Sequence, residues 1–239
     1  MSDIQNAFRL IGSLDLTSLS HDDTEEKIAA LCAKAVTPYG TTAAVCVYPE
    51  WVPLARKLLK KTPVKVATVV NFPAGGNDFK LMKDEIKKGL SGGADEIDAV
   101  FPYRDFLAGN LDSCRRFLDI IQRECGKHTS KIILETGELN HVSTIAAAVK
   151  LCLEYDIDSG KTPVSATVGA ANIILETIRD SGRDVGFKAS GGIREFEEAR
   201  KYLILSEVIL GADWPDPAHF RIGASSLLDD LIRVIENKD

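Results

Sequence analysis

Two charged residues stand inside otherwise apolar runs: Asp98 in "EIDAVFP" and Lys188 in "DVGFKAS". A carboxylate or an ammonium in such a place is costly unless a partner of opposite charge or a hydrogen bond compensates it. Side chains alternate along a strand, so Asp98 would share its face with Glu96 and Val100. A structural ion pair explains such a carboxylate, and so does an acid–base group at the edge of a site. Burial disfavours a charged lysine and makes its neutral amine available for attack on a carbonyl; a second cation acts in the same sense. The alternative for Lys188 is a lysine whose stem lies along the core while its head reaches water.

Two further segments have the makings of an anion site. "ASGGIREFEEA" places Gly191 and Gly192 directly before a helical pattern, and "RIGASSLLDDL" places Ser225 and Ser226 before another. Small residues let backbone N–H groups approach a phosphate, and the helix dipole and serine hydroxyls help to hold it. Asp15 and Thr17, at the end of "SLDLT", are placed to reach a polar substrate, whereas Cys46 in "AAVCVYP" reads most simply as a buried strand cysteine. His21, His128, His141 and His219 show no metal spacing, and the five cysteines include no CxxC pair. Neither a metal site, a cofactor nor a disulfide framework is expected.

These residues need elements to position them. Strand-like runs recur at "SLDLT", "AAVCVYP", "VKVATVVNFP", "EIDAVFP", "KIILET", "DVGFKAS" and "HFRIGAS", with amphipathic helical patterns between them. Several runs are almost wholly apolar, as parallel strands covered by helices on one face and a core on the other must be. Seven strand–helix units and one vacant position predict a (β/α)8 TIM barrel forming one domain over residues 1–239. A doubly wound open sheet would want a Gly-rich turn after its first strand, and none is present. The vacant position is the sixth, where "DIDSGKTPVSAT" (Asp156–Thr167) has no run of four apolar residues and contains a Gly and a Pro. The sixth strand is therefore expected to be truncated or distorted. In such a barrel, sites form at the carboxyl ends of the strands and phosphate is held after the seventh and eighth, where the two anion-binding segments fall.

The chain has 239 residues, 45% of them hydrophobic, and a net charge of −6. That balance argues against a nucleic-acid or anionic-membrane surface. No apolar stretch approaches the ~18 residues of a membrane span, and "MSDIQNAFRL" lacks the apolar run of a signal sequence. A cytoplasmic location is expected.

Taken in order, "LDLTSL", "AAVCVYP", "ATVVNFPAGG", "GADEIDAVFPY", "KIILETGEL", "VGFKASGGIR" and "GADWPDPAHFRIGASSLL" resemble the deoxyribose-phosphate aldolase family. These class I lyases cleave 2-deoxy-D-ribose 5-phosphate to glyceraldehyde 3-phosphate and acetaldehyde through a lysine Schiff base. The resemblance implies a cytoplasmic barrel enzyme of deoxyribonucleotide and carbohydrate degradation. Its partner would be a phosphorylated small sugar, with a homodimer as the assembly to consider and no nucleic acid or membrane. It also implies roles: Asp98 for proton transfer through water, and Lys188 as the second lysine that lowers the pKa of the nucleophile. Asp15, Thr17 and Cys46 would belong to the pocket, and Gly160, Gly191, Gly192, Ser225 and Ser226 to substrate binding.

The family's nucleophile lies on its sixth strand, in a pattern close to A-D-F-I-K-T-S-T-G-K. Here Asp158 and Ser159-Gly160-Lys161 match its two ends, with no residues left for F-I-K-T-S. The Schiff-base lysine thus has no counterpart, and Lys161 is the substitute candidate if the chain slides. The family's tyrosine-bearing tail also has no counterpart after "IENKD". Three readings follow: an aldolase working through Lys161 or a strand misplaced by this alignment, a non-catalytic sugar-phosphate-binding or scaffold relative, or a defective or engineered form with impaired turnover.

Overall fold

The computed structural model describes residues 1–155, 163, 164 and 167–237. Eight parallel strands form one sheet: β1 (Leu14–Thr17), β2 (Ala44–Val47), β3 (Lys65–Val70), β4 (Glu96–Val100), β5 (Thr129–Ile133), β6 (Pro163–Val164), β7 (Phe187–Ser190) and β8 (Phe220–Ala224). Their hydrogen-bonded order is β5-β4-β3-β2-β1-β8-β7-β6. The fold is a (β/α)8 barrel whose sixth stave has two described residues, Pro163 and Val164, paired with Lys188 and Ala189. Among the described residues β5 and β6 are neighbours in space but are not hydrogen-bonded to each other. The expectation of a truncated or distorted sixth strand falls on residues 156–167, most of which lie outside the described residues.

The helices form where local chemistry favours them. In α1 (Asp3–Gly12), the Ser2 side chain accepts from the Gln5 N–H while the Gln5 side chain returns a bond to the Ser2 N–H, a reciprocal cap. Asp78 caps α4 (Phe79–Gly92), and Gly93 ends it in the left-handed region at φ 99°. Thr167 caps α9 (Val168–Ser181). That helix packs on α8 (Val142–Leu153), beside the short stave. Among the described residues no helix is long and apolar enough to cross a membrane.

Strand alternation divides the interior into two parts. Outward residues such as Leu14, Leu16, Val45, Val47, Val66, Ile97, Ile132 and Ile222 join the helices in the main apolar core. Each fully buried Leu or Ile contributes about 1.5–3 kcal/mol relative to exposure. Inward residues on β2 and β3 are small and apolar: Ala44, Cys46, Ala67 and Val69 form a separate cluster inside the barrel. Six further inward positions carry charge: Asp15 on β1, Glu96 and Asp98 on β4, Lys131 on β5, Lys188 on β7 and Arg221 on β8, all buried.

Candidate active site

These six charged side chains form one network. Lys188 Nζ lies 2.7 Å from Asp98 Oδ2 and 2.8 Å from Asp15 Oδ2. Lys131 Nζ lies 2.7 Å from Glu96, 2.7 Å from Asp98 Oδ1 and 3.1 Å from Asp15 Oδ2. Arg221 reaches Asp15 at 2.6 Å and Glu96 at 3.0 Å. Lys65, at the lower rim, stands 3.6 Å from Glu96. Three carboxylates thus face three enclosed cations, which is the pairing that makes buried charge tolerable.

The electrostatics follow from this pairing. Burial is the largest influence on each group and opposes its charge, but the partners outweigh it. Lys131, Lys188 and Arg221 together hold the Asp15 carboxyl well below 3.8. Lys131 and Arg221 bring Glu96 from 4.5 down to about 2. The carboxylates hold Lys131 well above 10.5 and raise Lys188 as well, despite their burial and, for Lys188, the nearby Lys131 cation. The pairing with Asp15 and Asp98 favours the ammonium form of Lys188 over the neutral amine that burial alone would give, in keeping with the role of a second lysine beside a nucleophile.

One pH dependence follows. Glu96 and Asp15 have depressed pKa values, so their stabilisation is complete above their ordinary values of 4.5 and 3.8 and is lost as pH falls through the lowered ones. Lys131 and Lys188 have raised values, so theirs is complete below 10.5 and is lost only as pH climbs through the higher ones. Urea-unfolding midpoints should therefore be flat from about pH 5 to 8 and should fall on the acid side towards about pH 2. They should fall again above about pH 9, where thiols held up at about 11 to 12 by burial ionise only in the unfolded chain. A midpoint that already drops steeply between about pH 6 and 5 would contradict this pairing.

Above the network opens a cavity of about 560 Å³ at the carboxyl ends of the strands. Asp98 and Lys188 form its floor, Thr17, Cys46, Val69 and Phe72 one wall, and Gly191, Gly192, Ser225 and Ser226 another. Gly191 and Gly192 have φ 102° and 75°, a left-handed pair suited to turning N–H groups towards an anion. The two serines are exposed at the start of α11 (Leu227–Glu236). Asp98 Oδ1, though close to Lys131, accepts no aligned hydrogen bond among the described residues. It is a buried acceptor with spare capacity beside the cavity. Burial, with Asp98 nearby, pushes the Cys46 thiol up to about 12, so it is no thiolate.

The structure thus brings Asp98, Lys188, Thr17, Cys46 and the two anion-binding segments around one cavity. It puts Asp15 elsewhere. That side chain is wholly enclosed one storey below, where it supports Lys188 and Arg221 and does not line the cavity. Gly160 and Lys161 lie outside the described residues.

Sequence reasoning missed Lys131 and Arg221. "KIILET" made Lys131 look like the exposed first residue of a strand, but β5 begins two residues earlier and carries Lys131 at its centre. Arg221 sits second in β8 and carried the same signal as Lys188, a cation in an apolar run. Glu135 and Arg194 were also missed, and both line the cavity. Glu135 has φ 52°, unusual for a residue with a side chain, and its carboxyl is raised by burial and by Glu138.

A model of the DeoC/LacD aldolase family matches residues 9–231 of this chain. Among solved structures, a protein assigned as a deoxyribose-phosphate aldolase from Toxoplasma gondii ME49 superposes with a TM-score of 0.88 at 25% identity, over 99% of this chain and 98% of its own. One so assigned from Coccidioides immitis gives 0.82 at 27% identity, over 95% and 86%. QR15, described as an aldolase, gives 0.80 at 28% identity, over 96% and 99%. With the barrel, the cavity at its carboxyl end and a family match spanning nearly every stave, the chain belongs to the DeoC/LacD family of aldolases.

Proposed function

We propose that this chain binds 2-deoxy-D-ribose 5-phosphate or a close sugar phosphate in the upper cavity, and that its lysine-dependent aldol cleavage is severely impaired. The phosphate sits at Gly191, Gly192, Ser225 and Ser226, which places the sugar over Asp98 and Lys188. The Asp98 carboxylate, whose Oδ1 faces Lys131 without an aligned hydrogen bond, is suited to exchange a proton with the substrate through water.

The missing function is the nucleophile. Class I cleavage requires an uncharged amine to condense with the carbonyl and expel water. The resulting iminium then takes up the electron pair of the breaking carbon–carbon bond. Beside the sequence gap at Asp158–Ser159, the observation that supports the impairment is the state of the two interior lysines among the described residues. Lys131 and Lys188 are both ammonium ions locked between carboxylates, with no lone pair to offer. The same observation favours the second reading, a sugar-phosphate-binding protein that does not turn its ligand over.

Two measurements test this. Calorimetry with 2-deoxyribose 5-phosphate should detect binding that Ser226→Glu abolishes, since a carboxylate at the cradle repels phosphate. Borohydride reduction with acetaldehyde, followed by peptide mass mapping, should leave Lys131 and Lys188 unmodified. Absence of binding removes the sugar-phosphate reading. Rapid turnover with a reduced adduct on Lys161 removes the impairment and restores the active-aldolase reading.

A further inference from the structure

We propose that Arg221 is a positioning residue for the Asp98–Lys188 pair, acting from the lower storey of the barrel through Asp15. This rests on the reading of Asp98 and Lys188 as the acid–base floor of an aldolase cavity.

Arg221 is buried and does not line the upper cavity. Its three nitrogens all have fixed partners: Nε donates to the Pro217 carbonyl at 2.5 Å, Nη1 to Asp15 Oδ1 at 2.6 Å, and Nη2 to Glu96 Oε1 at 3.0 Å. The planar fork therefore sets the angle between Asp15 and Glu96, which a flexible ammonium cannot do. Asp15 uses its other oxygen, Oδ2, for Lys188 at 2.8 Å and Lys131 at 3.1 Å. One carboxylate thus carries the constraint from Arg221 below to the lysine above. Arg221 and Lys188 are paired across the β7–β8 ladder yet point to different storeys. Asp15 is the bridge between them.

The bridge also fixes charge. The groups facing Lys188 are Asp15 from β1, Cys46 from β2, Asp98 from β4 and Lys131 from β5; Glu96 of β4 and Arg221 of β8 face Asp15 and Lys131 in turn, with Lys65 of β3 at the rim beside Glu96. Removal of the guanidinium leaves three carboxylates against Lys131 and Lys188. The surplus is relieved by protonation of the carboxylate that has lost its shortest contact, Asp15. Lys188 is then held by Asp98 alone.

The test reads Lys188 directly and needs no turnover. Lysine ε-methylene signals are followed by carbon-13 NMR against pH, with Lys188 assigned through its loss in Lys188→Arg and Asp15 followed through its carboxyl carbon. In the unaltered protein the Lys188 signal should be flat across about pH 4 to 9. In Arg221→Met it should gain a step that coincides with protonation of Asp15. In Arg221→Lys the step should persist at lower pH, because the charge returns without the fork. If Arg221→Met does not fold, the step in Arg221→Lys carries the test. A Lys188 signal as flat in the folded variants as in the parent overturns the proposal, whatever their stability. Failure of substrate binding or of trapping would instead remove the aldolase reading and leave this result standing.

Discussion

Lys131→Met is expected to cost about 3–5 kcal/mol of stability at neutral pH, the range for breaking one partner out of a buried ion network. The substitution roughly conserves volume, so packing contributes little. The loss comes from stranding charge: Asp15, Glu96 and Asp98 would share only Lys188 and Arg221 inside the barrel. Asp15 and Glu96 cannot turn to water, since both are fully enclosed, and Asp98 meets it only at the cavity floor. The deficit should shrink as pH falls, because one surplus carboxylate takes up a proton and the imbalance disappears. Urea unfolding at several pH values measures both effects. A deficit below about 1 kcal/mol, or one equal at all pH values, would show that the network does not hold the barrel interior together. Surface pairs offer the contrast: Arg233→Gln, which removes the exposed contact to Asp230, should change stability by no more than about 1 kcal/mol.

The second large effect is expected from Gly223→Ala. Gly223 faces inward on β8, and a Cβ there would lie 2.9 Å from Lys188 Cε and 3.0 Å from Ser190 Cβ. Both distances are far inside normal contact, and Ser190 is held in the β7 ladder. The lysine stem must give way, which pulls Nζ off Asp15 and Asp98. Overpacking of this kind costs roughly 1–3 kcal/mol. The more specific consequence is at the cavity floor: affinity for 2-deoxyribose 5-phosphate should fall while the fold, followed by circular dichroism, stays intact. Unchanged affinity with unchanged stability would mean that the stem of Lys188 has room to spare.

How much of this was legible in the chain depends on what each residue's neighbours could say. The barrel was legible because strand-like and helical patterns alternate over nearly the whole length. The sixth position is the one place where the alternation lacks apolar residues, and most of it lies outside the described residues. Asp98 and Lys188 stood out because a charge in the middle of an apolar run has few explanations. Lys131 and Arg221 carry the same signal, but each lies near the start of its run, where a cation passes for solvated surface. Nor could the protonation of Lys188 be read from its own segment. Apolar neighbours in sequence argue for a neutral amine, whereas the carboxylates that charge it come from β1 and β4, more than 80 residues away. Asp15 was placed in the pocket because it lies near the end of its strand. Only the register of β1 against β8 shows that its oxygens point at Arg221 and Lys188 beneath the opening.

The equality of opposite charges inside the barrel bears on how this scaffold could be made to work. A third amine brought to the mouth beside Lys188 would find the three carboxylates of the network already engaged by Lys131, Lys188 and Arg221. Entering as a cation would leave that network with a net positive charge, with Glu135 the further carboxyl lining the cavity. The cheaper course is to arrive without its proton, at a pH well under 10.4, the ordinary value for lysine (about 10.4). An electrically balanced interior of this kind favours a neutral newcomer over a charged one. It is the environment in which a grafted Phe-Ile-Lys-Thr-Ser segment would find its lysine already in the reactive form.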